Sequence, residues 1–490
     1  MDFSVFFDRG LGAHYKNTDD ALAGNPKGML RIEEFDVVSG EDDLGNRKLP
    51  FDLGQNSEKV SFSCNVKIEK TKGFETFLFV DADAKHLSCS VNGETIFEAE
   101  SAVIAYDFKI EFGDEPYSEI CLLLTPKEDG GCLREVYVYH LPKSSVKTLK
   151  MDSLVKEGTA SLTLDITVAS GDIAMSLGGT LRVTIYFEDG IVAEKTLDVK
   201  PFKKQPWQRL RAELTIESAE LWNPKSPKYY CAVFEYFRSD GSVADIRKKY
   251  FGIRNLSISE DPVTDGAMSL KINSQRLKLR TAHFSQTLPT ADEILSKGFN
   301  SVYIEGEIPP GFLADCWEKG LMIIYAPIFS IKIKRKWWQK RGDDDPLDDA
   351  VLSIGESVDI LKGQTPVIIW SLGIKGAFGY ESLANLVRII DGTRPVCCEG
   401  DIRFTVGDFF SFADCGLSEL AYIASGNSVP GGRGKRRIKA KEYIKRPLLL
   451  CAVSPDRESF EEKFEIIERT PHMAGAVVNF TEELSSFYDF

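Results

Sequence analysis

The chain has 490 residues, 43% hydrophobic and 11% aromatic, enough for a large core and too long for one ordinary domain. Acidic residues number 74 against 60 basic ones, and the net charge of -14 favours solubility and argues against wholesale nucleic-acid binding while leaving room for a local basic patch. Residues 1–25 carry Asp2, Asp8, Asp19 and Asp20 and no apolar run long enough for a signal-peptide core, so a cytoplasmic location is expected. The longest apolar stretch, 321–331, is about half a membrane span and runs into Lys332 to Lys336, which predicts a buried strand rather than a membrane helix. Ten cysteines without CxxC spacing read as reduced thiols, and five scattered histidines predict neither a metal site nor a cofactor.

Three regions follow in chain order. Residues 1–142, an N-terminal arm and then a domain, alternate apolar and polar at period two, as in Val60-Ser61-Phe62-Ser63-Cys64-Asn65-Val66, and Asn92-Gly93 suits a tight hairpin because both positions tolerate positive φ. A β-sandwich is expected. Residues 143–258 form a second all-β block, with turn signals at Asp189-Gly190 and Asp240-Gly241, and an immunoglobulin-like sandwich fits. Over 259–490 helical segments alternate with short continuous apolar runs, the mark of a parallel sheet with crossover helices. Candidate strands lie at 277–280, 299–304, 321–327, 366–372, 395–398, 404–410, 447–452 and 475–480, and eight is the number that closes a TIM barrel. Thr290 and Glu293 read as a capping box opening a helix that stops at Gly298, and further helices are expected over 346–362 and 457–469. With little room for a helix between the fifth and sixth strands, the barrel reads as shortened.

Pro366-Val367-Ile368-Ile369-Trp370-Ser371-Leu372-Gly373 resembles a segment of glycoside hydrolase family 2, the β-galactosidases and β-glucuronidases. Arg394-Pro395-Val396-Cys397-Cys398-Glu399-Gly400-Asp401, the pair "LWNP" and "YFGIR" in the central block, and "GGCLREVYVYHLP" after a Val-Asn-Gly turn resemble the same family. The resemblance implies a multidomain β plus α/β chain: an N-terminal jelly-roll sandwich, an immunoglobulin-like sandwich and a C-terminal (β/α)8 barrel with a glycosidase mouth.

The family's chemistry needs two carboxylates, one to protonate the leaving oxygen and one to attack the anomeric carbon. The resemblance places the acid/base at Lys375, after Ile374 in place of an Asn, and the nucleophile at Ala452. Tyr303 stands where the family has an Arg, and Val478 where it has a platform Trp. On these changes the chain is expected to be a non-enzymatic homologue, a structural or interaction module.

Two other readings remain open. A barrel mouth holding Tyr303, Phe378 and Tyr380 could bind a sugar as a lectin does, and Glu305, Glu307 and Glu399 fall near strand ends where a relocated active site could form. For the interaction reading, Lys334, Arg335, Lys336, Trp337 and Trp338 make one basic segment and Arg433, Lys435, Arg436 and Arg437 another. Such loops on an acidic chain point to a partner with an acidic surface, such as a filament or larger assembly.

Overall fold

The structure, a computed structural model, describes residues 14–24, 26–54, 58–68, 72–99, 106–111, 117–126, 130–171, 177–262, 266–285, 288–306, 308–329, 347–374, 379–401, 405–430, 437–439, 443–454 and 456–480. It divides into two compact units, one of Met1–Asp152, Ser161–Ile216 and Tyr230–Tyr250, the other of Ser153–Ala160, Glu217–Tyr229 and Phe251–Phe490. Among the described residues no helix is long and apolar enough to cross a membrane. Among the described residues no two of the ten cysteines form a disulfide.

The first unit is built from antiparallel sheets. A five-stranded and a six-stranded sheet enclose a core in which Phe35, Val37, Phe62 and Leu122 of one meet Leu78, Val80, Val136 and Val138 of the other. Every second residue of Val60–Lys67 and Tyr117–Thr125 contributes to it, as the period-two pattern requires. Asn92 and Gly93, at φ 51° and 80°, make the tight turn between His86–Val91 and Glu94–Ala99. A three-stranded and a four-stranded sheet follow between Ser145 and Phe251. Inside the unit Asp245, fully buried, accepts from Arg247 Nε at 2.8 Å and from the backbone N–H of Val146 at 2.9 Å, and lies 2.8 Å from His14 Nδ1.

The second unit carries the barrel. Its strands are β1 (Leu279–Phe284), β2 (Ser301–Glu305), β3 (Met322–Ala326), β4 (Val367–Ile374), β5 (Val396–Glu399), β6 (Phe410–Ala413), β7 (Leu448–Val453) and β8 (Met473–Phe480). They form one parallel sheet in the order β5-β4-β3-β2-β1-β8-β7-β6. Leu279, Met322, Ile324, Ile369, Cys397, Leu449, Cys451 and Val477 fill the interior. Gly475 lets β8 approach β1, because a Cβ there would collide with the Leu279 carbonyl.

Helices α1 (Ala291–Ser296), α2 (Pro310–Lys319), α3 (Asp348–Leu361), α4 (Tyr380–Ile390), α5 (Leu417–Ala424) and α6 (Arg457–Arg469) surround the sheet. The capping box at α1 is present, with Thr290 and Glu293 each bonding the other's backbone N–H, and Gly298 at φ 84° follows the helix. Two strands differ from expectation. β1 begins and ends later than 277–280, and β6 occupies 410–413 rather than 404–410.

That second shift exposes the barrel's weak point. β5 and β6 share no strand ladder, and among the described residues no helix joins them. Loop groups take over: Asp408 N–H donates to the Val396 carbonyl at 2.6 Å, and the Asp408 carboxylate accepts from Val396 N–H at 2.7 Å. The carboxylate of Asp401, fully buried, accepts the N–H groups of Val406 at 2.7 Å, Gly407 at 3.0 Å and Thr405 at 3.2 Å. Arg388 donates to the Val406 carbonyl at 2.7 Å and to Asp408 at 2.9 Å, and Arg446 donates to the Gly407 carbonyl.

Removing the Asp401 carboxylate strands three amides, two of them on buried residues. Asp401→Ala should therefore cost about 3 kcal/mol, the scale of a lost charged acceptor with unsatisfied donors left behind, whereas Asp401→Asn should recover part of it; urea unfolding of both variants measures this. A second consequence concerns pH. Burial, with Lys278 nearby, lowers the pKa of His472 from 6.5 to about 4, and its buried Nε2 has no hydrogen-bond partner among the described residues. Between these values the unfolded chain binds a proton that the folded chain refuses, so stability falls as pH drops from 6.5 towards 4, by up to about 1.4 kcal/mol per pH unit. His472→Gln should flatten that slope in denaturant titrations across the window.

Candidate functional site

In a barrel of parallel strands, side chains at the C-terminal strand ends surround the mouth. β1 offers His283, β2 offers Tyr303 and Glu305, β4 offers Ser371, β5 offers Glu399 and β8 offers Asn479. These polar residues alternate with buried apolar neighbours, which turns one face of each strand inward. The Tyr303 hydroxyl lies 2.9 Å from Ser371 Oγ, spanning β2 to β4. The His283 ring meets Tyr303 edge-on at 4.8 Å, and its Nδ1 is 3.2 Å from Asn479 Oδ1. One layer below, Thr281 and Ser301 hydroxyls are 2.7 Å apart.

The acid–base character of this ring follows from its burial. Desolvation, with Cys397 nearby, raises the Tyr303 phenol. The Cys397 thiol is pushed up to about 12 by burial, and burial followed by the charge of Glu399 raises Cys451 well above the usual thiol range. Glu399 is half-buried, and desolvation raises its carboxyl. Burial thus favours the protonated, neutral forms of Tyr303, Cys397, Cys451 and Glu399.

The structure places the sequence candidates unequally. Tyr303, Glu305 and Glu399 stand on strands at the mouth, Glu305 exposed at the end of β2. Ile374, at the end of β4, is 72% exposed and pairs in register with Glu399. Ala452 is exposed and adopts φ 54°, in a stretch where the β7–β8 register shifts. Val478 requires correction: it is fully buried, and it is Val477 rather than Val478 that packs into the barrel interior, so Val478 does not line the mouth. Lys375, Phe378 and Glu307 lie outside the described residues, as do Lys334, Arg335, Lys336, Trp337 and Trp338 of one basic segment and Arg433, Lys435 and Arg436 of the other. Arg437 begins a two-residue strand. Tyr380 opens α4, with its ring 5.9 Å from that of Phe329.

Sequence reasoning passed over His283, Ser371 and Asn479 as functional residues. Their signal was present: each is a polar residue at an inward position of an otherwise apolar strand. Among the described residues no three His, Cys, Asp or Glu side chains gather as they would around a metal ion.

Comparison with known proteins bears on this geometry. The family model described as glycosyl hydrolases family 2 matches residues 144–254. A β-galactosidase of Erwinia tasmaniensis is 24% identical over 379 residues, covering 71% of this chain and 35% of that protein. Both similarities are to glycosyl hydrolases family 2 or to a protein named as a β-galactosidase. A β-galactosidase of Kluyveromyces lactis is 22% identical over 375 residues, covering 65% of this chain and again 35% of the relative, so the chain spans about a third of the length of these curated relatives. Among solved structures, a family 2 member from Bacteroides cellulosilyticus has a TM-score of 0.72 at 15% identity, covering 93% of this chain and 65% of its own. A β-D-glucuronidase from Dictyoglomus thermophilum has a TM-score of 0.67 at 14% identity, covering 94% and 93%. The shared fold is a multidomain, β-rich arrangement with a nearly closed eight-stranded parallel barrel and β-sandwich domains. These relatives are named as enzymes, which overturns the expectation, drawn from Ile374, Lys375, Ala452, Tyr303 and Val478, that the chain is not one.

Ala452 carries a backbone prediction. A Cβ in the left-handed region costs about 1 kcal/mol that glycine avoids, so Ala452→Gly should raise stability by up to that amount in thermal or denaturant unfolding. Ala452→Val should lower it by more, since a β-branched side chain fits that region worst.

Proposed function

We propose that the barrel mouth engages a glycoside and that Glu399 is the carboxyl that holds and returns a proton there. The observation that carries the reading is the placement of Glu399: a half-buried carboxyl at the C-terminal end of β5, raised by desolvation, in a mouth that also holds the hydrogen-bonding groups of Tyr303, Ser371, His283 and Asn479. A carboxyl whose affinity for a proton is raised by desolvation is a better donor to a glycosidic oxygen than a solvated one. Tyr303, Ser371, His283 and Asn479 supply the donors and acceptors that sugar hydroxyls require. Names of the relatives support the substrate class, and Glu305, exposed on β2, is the second carboxylate of this reading.

Turnover of aryl β-galactosides and β-glucuronides by the purified chain tests the proposal. Glu399→Gln should lower kcat/KM by at least about 100-fold, the scale of a lost general acid, with an unchanged unfolding temperature. Turnover that survives Glu399→Gln sinks the acid role. Calorimetric titration with methyl β-glycosides separates recognition from chemistry: heat that vanishes in Glu399→Ala supports recognition at this mouth, and an absence of both heat and turnover at millimolar sugar overturns the reading.

A further inference from the structure

On the opposite face of the barrel, at the N-terminal ends of β5, β6 and β7, lies an open cavity of about 370 Å³. Its polar wall is Arg388, Arg394, Lys445 and Arg446, with Asp408 as its carboxylate. Arg394 is buried and committed: it donates to the Val367 carbonyl at 2.6 Å, the Gln364 carbonyl at 2.7 Å and Asp391 at 2.7 Å. Four cations against the carboxylates of Asp408, Asp391 and Asp401, the last acting on Arg446, leave one positive charge, in a chain whose net charge is -14. Lys445 is exposed and makes no hydrogen bond or ion pair with the described residues. The cations also crowd one another. Burial lowers the pKa of Arg446, with Asp401 and Asp408 opposing it and Arg388 adding to it, and Arg254 behind the wall is lowered well below the usual range by burial and by Arg394.

We propose that this cavity binds a small phosphate monoester, its phosphate against Arg388, Lys445 and Arg446 and its body against Leu256, Ile258 and Pro395. A phosphate matches the charge left by Lys445 and offsets the repulsion between Arg388 and Arg446. Guanidinium forks suit the geometry of phosphate oxygens, and a lysine adds a point charge. The volume falls near the low end of small-molecule sites, about 300–1,000 Å³, which fits a body the size of a monosaccharide. Because Arg388 comes from the last turn of α4 and Lys445 and Arg446 from the lead into β7, the ligand would bridge the segments on either side of the β5–β6 gap. Binding would therefore reinforce the barrel where its sheet is open, independently of any chemistry at the mouth.

Thermal unfolding of the full chain with glucose 6-phosphate, inorganic phosphate or glucose at millimolar concentration tests this. A ligand that binds only the folded state raises the unfolding temperature by mass action, so the ester is expected to add about 3 °C, inorganic phosphate less, and glucose nothing. Added salt should shrink the shift. Lys445→Glu, which breaks no hydrogen bond or ion pair among the described residues, should unfold like the parent without ligand and lose the response, with calorimetry showing affinity for the ester down by at least 10-fold. No shift with either phosphate overturns the site, as does a shift that persists undiminished in Lys445→Glu. Equal shifts from the ester and from inorganic phosphate overturn the proposed contact with Leu256, Ile258 and Pro395.

Discussion

A parallel barrel leaves no backbone amide free to face water inside its wall, so any gap in the ladder must be filled by other acceptors. Here the gap lies between β5 and β6, and two aspartates fill it. Asp408 mimics a neighbouring strand by both donating to and accepting from Val396. Asp401 folds the connecting loop by collecting consecutive amides. The position of β6, of the loop over residues 405–408 and of the arginines that hold its carbonyls all follow from that substitution of side chain for strand.

The same constraint explains which family-like motifs remain. Arg394 and Asp401 bracket β5 and are both engaged in holding backbone. Trp370 is fully buried, donates from Nε1 to Asp391 at 2.7 Å and lies under the Arg394 guanidinium, whose carbon is 5.6 Å from the ring centroid. The Pro366–Gly373 and Arg394–Asp401 segments are therefore parts of one scaffold: β4 and β5 are tied at their base by Trp370, Asp391 and Arg394. Only Ser371 of the first motif and Glu399 of the second reach the mouth. Resemblance concentrated in these segments reports on how the barrel is held together more than on what it does.

Most of the barrel was legible because buried parallel strands write themselves as short apolar runs, and seven of the eight lie within a few residues of where those runs fall. β6 was misplaced because Phe404 to Phe410 has the composition of a strand, while the buried carboxylate of Asp401 pulls residues 405–407 into a loop. β1 was cut short because Thr281 and His283, polar and inward, interrupt its apolar pattern. Helices α2, α4 and α5 went unread although signals existed, such as Pro310 in the first turn and Gly320 after the last residue of α2, and the buried stripe of Leu383, Ala384 and Val387 on α4. At the site, residue types were visible but their environment was not. Nothing in the sequence shows that Glu399 is half-buried, that Val478 faces away from the barrel interior, or that Ala452 sits at positive φ. Each depends on strand register.

The two ends of the barrel are electrostatic opposites built from one sheet. At the C-terminal end, burial acts on hydroxyl, thiol and carboxyl groups, and for all of these desolvation favours the neutral form, so the mouth gathers protons rather than charge. At the N-terminal end the groups are guanidinium and ammonium, of which arginine keeps its charge at physiological pH whatever its surroundings. Burial there does not neutralise the arginines and instead leaves positive charge that carboxylates only partly offset. A neutral, hydrogen-bonding ligand such as a sugar suits the first environment and an anion suits the second. The seam at β5–β6 touches both, since Glu399 ends the strand that Arg394 and Pro395 begin. Tightening the base of that strand would restrict the carboxyl at its tip, which gives the two faces a physical route by which occupancy of one could alter the other.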